Sequence, residues 1–458
     1  MSIHQTPTAV LGQIGNTPLI EVTRLDTGPC RLFLKLENQN PGGSIKDRIA
    51  LTMIEAAERD GHLKPGGTLI EATAGNTGLG LALVAAAKGY RLILVIPDKM
   101  APEKISHLRA LGTEVRITRS DVGKGHPEYY QDMAQRLAQE IPGSYYINQF
   151  ANPANPLAHE TGTGPEILRQ MDGDIDAMVV GVGSGGTLTG LGRFFAAHSP
   201  KTRMVLADPK GSILADLVTQ GKMTEPGSWV VEGVGEDFVP PICDLDLVAA
   251  AYTVTDQEAL LSARELLAKE GILGGSSSGT LLAAALRYCR AQTEPKRVVS
   301  LICDTGNKYL SKMYNDFWMA DQGFLPRPGH GDLRDLISRR HDLGQAVTVQ
   351  AQDTLLTAYK RMRIADVSQL PVVDGEKIIG LLDESDLLLR VVGEPAHFTD
   401  TVATAMNSKL DTVPPKTPVS ALNDIFHKDH VALVVDGEKF LGLITRVDLL
   451  NHLRRKIA

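Results

Sequence analysis

VVGVGSGGTLTG (Val179–Gly190) decides the reading of this chain. It leaves a β-branched apolar run, crosses a loop that is mostly glycine, and enters an amphipathic stretch. Strand, glycine turn and helix make the unit of a parallel α/β sheet, with the turn at the strand's carboxyl end, where such folds bind ligands. The alternation repeats up to about residue 320. It predicts strands at Gly67–Ala72, Arg91–Pro97, Ala177–Val182, Thr202–Ala207 and Arg297–Cys303. It predicts helices at Ile45–Arg59, Leu79–Lys88, Glu103–Leu111, Tyr129–Glu140 and Asp256–Glu270. The fold class is α/β, with parallel sheet covered on both faces.

A length of 458 residues exceeds one domain. Apolar residues at 43% and charged residues at 22% are ordinary for globular cores and exclude a disordered or fibrous chain. A net charge of −7 with no basic run argues against nucleic acid or an anionic membrane as partner. The start, MSIHQTPTAV, lacks the basic region and apolar core of a signal peptide, and apolar stretches such as Leu79–Ala87 are too short for a membrane span. Cys30, Cys243, Cys289 and Cys303 lie far apart and read as reduced thiols, so a cytoplasmic location is expected.

GFLPRPGHGD (Gly323–Asp332) reads as a linker. Beyond it LPVVDGEKIIGLLDESDLL (Leu370–Leu388) matches ALVVDGEKFLGLITRVDLL (Ala432–Leu450), Val372 aligning with Val434. Each half reads strand, helix, strand, turn, strand, helix, with hairpin turns at Asp374-Gly375 and Asp436-Gly437. The expected organisation is a catalytic domain over 1–320, a linker over 321–332, and two repeat halves over 333–391 and 400–458.

Four motifs carry chemistry. PGGSIKDR (Pro41–Arg48) fits a capping box from Ser44 to Asp47, which places Lys46 in a helix's first turn. The helix dipole disfavours an ammonium there, and a Schiff-base lysine must be a neutral amine. EATAGNTGLG (Glu71–Gly80) sets Gly75, Gly78 and Gly80 at a helix N-terminus, with Thr73, Asn76 and Thr77 as donors suited to a small carboxylate. GSGGT (Gly183–Thr187) offers free N–H groups and two hydroxyls without a Walker lysine. Gly181, Gly183 and Gly186 with Asp208 also match a dinucleotide fingerprint, so an oxidoreductase is a rival on spacing alone. LGGSSSGT (Leu273–Thr280) precedes the helix Leu281–Arg290, and its serines read equally well as N-caps. His427 and His430 read as a solvated pair, and no metal site is expected.

Together and in this order the four motifs resemble the fold-type II family of pyridoxal-phosphate enzymes, from about Gly12 to Tyr314. The resemblance implies two doubly wound subdomains holding pyridoxal 5′-phosphate. Carried over by motif, Lys46 would form the Schiff base and Asn76 would hydrogen-bond the pyridoxal 3′-oxygen. Gly183, Ser184, Gly185, Gly186 and Thr187 would cradle the phosphate, and Ser276 would face the pyridine nitrogen. Thr73, Gly75, Thr77 and Gln149 would hold the substrate carboxylate. A hydroxyl cannot keep a proton on the ring nitrogen, which favours prompt β-elimination over a long-lived carbanion. The tail, about Asp332–Ile457, resembles a tandem pair of CBS domains, a Bateman module. This implies an adenosine ligand such as S-adenosylmethionine near Thr445 and Asp448. In the first copy Asp383 replaces the expected Thr before Asp386, a carboxylate that would repel a phosphate.

VEGVGEDFVP (Val231–Pro240), NPLAH (Asn155–His159) and SKMYNDFWM (Ser311–Met319) narrow the resemblance to the cystathionine β-synthase branch, of the bacterial type. The implied activity is a lyase's β-replacement: L-serine and L-homocysteine give L-cystathionine and water, Lys46 moving the Cα proton and helping the hydroxyl to depart. A homodimer or higher homo-oligomer is implied as well. Three departures stand out. Ala74 replaces a usual Ser, Phe150 and Glu236 replace Tyr near the second substrate, and only about ten residues precede LGQIGNTP (Leu11–Pro18), so no haem is expected. A cysteine synthase using O-acetylserine and sulfide, and a non-enzymatic adenosine-nucleotide sensor, stay open as alternatives.

Overall fold

Strands buried on both faces of a parallel sheet must be apolar throughout. The computed structural model, which describes residues 9–73, 75–98, 102–123, 125–326 and 329–454, follows that rule. The chain divides into two compact units, one ending at Asn315 and the other beginning at Asp316.

The first unit contains strands β1 (Leu19–Glu21), β2 (Arg31–Lys35), β3 (Thr68–Glu71), β4 (Arg91–Pro97), β5 (Glu114–Thr118), β6 (Ser144–Tyr146), β7 (Ala177–Gly181), β8 (Arg203–Pro209), β9 (Val248–Val254) and β10 (Arg297–Leu301). They form two sheets, ordered β1-β2-β10-β7-β8-β9 and β5-β4-β3-β6. Every pairing is parallel except β1 with β2. The five predicted strands are all interior, and β3 is buried along its whole length; β2, interior as well, and its edge neighbour β1 are not among the predicted ones. The unpredicted β5, β6 and β9 are all edges, half-exposed and therefore without a continuous apolar run.

Four helices bring the conspicuous motifs together: α1 (Lys46–Arg59), α2 (Asn76–Lys88), α3 (Gly186–His198) and α4 (Ser276–Arg290). Helices α2 and α4 begin earlier than their apolar faces, at Asn76 and Ser276, because the polar motifs are their first turns. A Cβ on Gly80 would lie 2.8 Å from the Lys46 carbonyl oxygen, so only glycine lets α2 pack this close to the head of α1.

A buried ionic network anchors α1 from its other side. The Arg48 guanidinium grips Glu37 (Nε to Oε2, 2.7 Å) and Glu166 (Nη1 to Oε1, 2.8 Å). Lys35 donates to Glu166 (2.7 Å), to the Thr17 carbonyl (2.7 Å) and to Gln170 (2.9 Å). All four charged residues are buried. Burial alone would raise Glu166, but Arg48 and Lys35 more than reverse it and hold its carboxyl at about 2.

In the second unit β11 (Gln369–Asp374) pairs antiparallel with β12 (Lys377–Asp383), and β13 (Thr412–Val413) lies beside a second hairpin, β14 (Ala432–Asp436) and β15 (Lys439–Ile444). The repeat is structural: Val372 pairs with Gly380 as Val434 pairs with Gly442, and each hairpin has its bulge at the same place. Gly375 (φ 59°) and Gly437 (φ 62°) open the two-residue turns in the left-handed region that glycine adopts without strain. Val373, Ile378, Leu433 and Phe440 make a core shared by the halves. No described helix is long and apolar enough to cross a membrane.

Arg48→Met would leave the buried Glu37 carboxylate without its cation and Glu166 with Lys35 alone, and should lower the unfolding free energy by about 3–5 kcal/mol in a urea titration. Glu166 is depressed on folding, so its contribution is complete above the ordinary carboxylate range near 4 and disappears as pH falls to about 2. Glu166→Gln should therefore be less stable than the parent at neutral pH and converge on it over that window.

Candidate active site

The first motif is held by tertiary bonds, and these overrule the local cap that its spacing suggests. Ile45 N–H donates to the Cys303 carbonyl (2.8 Å), and Thr305 N–H to that of Gly43 (3.0 Å). The loop is docked on the segment after β10, and the capping box between Ser44 and Asp47 does not form. Ser44 Oγ instead accepts from Lys46 N–H (3.2 Å), while Asp47 Oδ2 accepts from Gly42 N–H (2.5 Å). Helix α1 starts at Lys46, whose side chain enters a narrow cleft lined also by Asn76, Gly183–Thr187, Ser277 and Cys303. Burial pushes its amine below the usual lysine range, opposed by Cys303, Asp304 and Glu236.

The other motifs meet around that amine. At one end GSGGT turns into α3, with Gly185 in the left-handed region (φ 89°). A Cβ on Gly186 would fall 1.9 Å from Asn155 Oδ1, so the loop's backbone must stay bare. Asn155 Nδ2 in turn donates to Ser184 Oγ (2.9 Å) and to the Gln149 carbonyl (2.8 Å). Thr187 Oγ1 lies 3.2 Å from His159 Nε2, in an imidazole kept neutral by burial and then by the nearby Lys46 and Arg48 charges. At the other end Asn76 is clamped: Nδ2 donates to Asp304 (2.8 Å) and Oδ1 accepts from Lys308 (2.6 Å). One amide proton of Asn76 is left for a ligand.

A roomier cavity of about 440 Å³ adjoins this cleft through Gly75–Asn76 and Val234–Glu236. Thr73, Gly75 and Gln149 line it, with Tyr129, Phe150 and Glu236. Thr77 does not line it; its hydroxyl donates to Gln149 Oε1 (2.7 Å) and so aims that amide. Glu71 supports the same residue from below, accepting from Gln149 N–H (3.1 Å), and burial raises its carboxyl to about 7. Ala74 lies outside the described residues.

Two expectations change here, one implied by the resemblance and one by spacing. Ser277 rather than Ser276 lines the cleft; Ser276 is turned away, its Oγ accepting from Glu232 N–H (3.0 Å). In a run of three serines the helical rotation of α4, about 100° per residue, decides which one points inward, and composition carries no sign of it. Asp208 is fully buried and its Oδ2 accepts from Ala215 N–H (2.9 Å), so it is not free to bind a ribose. Asn155, His159, Asp304 and Lys308 complete the site without having been singled out for it. The first two sit in NPLAH, whereas nothing in the sequence marks the others.

In the second unit Thr445 and Asp448 line a separate cavity of about 400 Å³, with Ser338, Arg339, Gln369 and Phe440. Asp448 Oδ2 accepts from both the N–H (2.7 Å) and the hydroxyl (2.6 Å) of Thr445, and Ser338 donates to Oδ1. Asp383 and Asp386 form a capping box at the equivalent place in the first copy.

Residues 10–304 match the pyridoxal-phosphate dependent enzyme family, and residues 333–393 and 402–455 match the CBS domain. The chain is 36% identical to cystathionine beta-synthase of Dictyostelium discoideum, over 97% of this chain and 92% of that one. It is 38% identical to that of Oryctolagus cuniculus (96% and 84%) and 35% identical to that of Saccharomyces cerevisiae (97% of each). Among solved structures, a hydrogen sulfide-producing enzyme from Fusobacterium nucleatum is 36% identical with a TM-score of 0.62, covering 67% of this chain and all of that one. O-ureido-L-serine synthase is 33% identical with a TM-score of 0.63, covering 69% of this chain and all of that one. The donor set fits the cofactor of this family. It offers bare amides and hydroxyls at a helix N-terminus for a phosphate, a dehydrated amine for a carbonyl carbon, and a hydroxyl and an amide for the ring.

Ser277→Ala should weaken cofactor retention about tenfold in equilibrium dialysis, one hydrogen bond of roughly 1.4 kcal/mol. Ser276→Ala should weaken it less; the reverse order would return the role to Ser276.

Proposed function

The chain belongs to the cystathionine beta-synthase family of pyridoxal-phosphate-dependent enzymes, and we propose that its β-replacement joins L-serine to L-homocysteine, giving L-cystathionine and water. One observation carries the reading: the Lys46 amine, its basicity lowered by burial, lies between a glycine loop at a helix N-terminus and a cavity lined by Thr73, Gly75 and Gln149. When bound, pyridoxal phosphate supplies an electron sink at the substrate's Cα.

The chain's own residues do the rest. Gly183, Ser184, Gly185, Gly186 and Thr187 would hold the phosphate, and Ser277, which lines the same cleft, would serve the ring nitrogen. Asn76, fixed by Asp304 and Lys308, meets the ring oxygen. Thr73, Gly75 and Gln149 bind the substrate carboxylate, with Thr77 orienting Gln149. Lys46 would hold the cofactor, and its amine would take the Cα proton of serine and finally return it. Its depressed basicity suits both duties, since a protonated lysine could neither attack nor accept. The cavity beyond Gln149 gives a second amino acid room beside the first.

The second unit is read as the regulatory part. Its 400 Å³ cavity is of a size for an adenosine group, and S-adenosylmethionine is the ligand we favour. The carboxylates of Asp448 and Asp366 at its edge suit a ligand without phosphates. Assembly as a homodimer or higher homo-oligomer is supported by apolar side chains left exposed on two tail helices, Leu388, Leu389 and Val392 on one and Val447, Leu450 and Leu453 on the other. A cytoplasmic setting is the reading we favour for a chain whose four cysteines lie far apart in sequence, with no disulfide or zinc spacing.

Mass-spectrometric product analysis with serine and homocysteine, after cofactor saturation, should yield cystathionine. Cysteine from O-acetylserine and sulfide as the only product would make the chain a cysteine synthase. Titration calorimetry with S-adenosylmethionine should show binding to the parent that Asp448→Ala weakens at least tenfold; no heat with the parent would remove the regulatory reading.

A further inference from the structure

Glu236 is placed with unusual care for a loop residue. Its N–H donates to Ser212 Oγ (3.1 Å), and its carbonyl accepts from Ser212 Oγ and Ile213 N–H (3.1 Å each). Its carboxyl lines the same cavity as Thr73, Gly75 and Gln149, and among the described residues it has no hydrogen-bond or ion-pair partner. Arg119 lines that cavity too, but its guanidinium is engaged by Asp121 (2.8 and 2.7 Å). A carboxyl that faces a cavity without a fixed partner is free to meet a bound molecule.

Its surroundings keep it protonated. Burial is the main cause, the neighbouring Asp237 and Asp208 add to it, Lys46 opposes them, and the carboxyl ends at about 8. Tyr129, Tyr130 and Cys243 also face it, all with their own protons held on by burial. The resting site therefore contains a neutral carboxylic acid beside the carboxylate subsite.

Under the proposed function the reaction needs such a group. Serine's hydroxyl leaves well only as water, so a proton must reach it, while the Lys46 amine is occupied by the Cα proton. The incoming thiol must then lose a proton, and amino-acid thiols lose theirs at about 8.5, close to the value of this carboxyl. Matched acids pass a proton either way at little cost.

We propose that Glu236 is the acid–base residue at the β-carbon, giving its proton to the departing hydroxyl and then taking the proton of the incoming thiol. The Cβ–O bond breaks with its electron pair on oxygen, which leaves as water. The Cβ–S bond forms from sulfur's pair, and the thiol proton restores the carboxylic acid. Over one turnover the shuttle is neutral, and Lys46 keeps the Cα proton to itself. The assignment rests on the reading of serine and homocysteine as substrates.

The test compares the parent, Glu236→Gln and Glu236→Asp holoenzymes with homocysteine and two donors, serine and O-acetylserine. Acetate leaves as a stable anion and needs no proton. Glu236→Gln should lower kcat with serine by about 100-fold or more, and with O-acetylserine by no more than about tenfold. Glu236→Asp should recover part of the serine rate. Serine affinity, read from the change in the cofactor's absorbance without homocysteine, should stay within about twofold of the parent. Equal losses with both donors, or an unchanged serine rate, would overturn the proposal while leaving the proposed function intact. A parent that makes no cystathionine from serine would overturn both.

Discussion

An amine held out of water is the constraint on which this protein depends. Lysine is strongly hydrated and normally protonated, and the fold has to supply the free energy that strips it. It does so by burying Lys46 at the first position of a helix, where the dipole adds to the penalty on the ammonium form. Opposing charges are kept weak: burial raises the Asp304 carboxyl above its usual range and carries that of Glu236 to about 8, so Glu236 is not a full counter-ion at neutral pH. The same dehydration that lowers the basicity of the lysine keeps the proton on Glu236.

Holding such a group requires rigidity on all sides. Gly80 lets α2 press against the Lys46 carbonyl, the loop before α1 is bonded to the segment after β10, and Arg48 ties the next residues of the helix into a buried ionic network. Each device comes from a different part of the chain. The active-site lysine is thus the meeting point of several elements and not the property of one motif.

That convergence separates the legible features from the hidden ones. Most interior strands and the long helices are legible because burial on two faces or on one stripe writes a pattern into composition; the short interior β2, bounded by charged Arg31 and Lys35, is missed. Edge strands β5, β6 and β9 carry half the pattern and give no clear signal. Glycine loops announce themselves because they must be bare. The choice between Ser276 and Ser277, and the failure of Ser44 and Asp47 to cap α1, are set by helix rotation and by bonds to Cys303 and Thr305, which no local spacing records. Asp304 and Lys308, which position Asn76 from more than two hundred residues away, are illegible for the same reason. In the second unit the repeat is plain because two copies share one register.

Every role assigned in the first unit depends on Lys46 as the residue that holds the cofactor. Borohydride reduction of the cofactor-saturated protein, followed by digestion and mass spectrometry, reads this directly. The prediction is a single pyridoxyl adduct, on the peptide containing Lys46. An adduct on another lysine such as Lys308 or Lys35, or none at all, would contradict it.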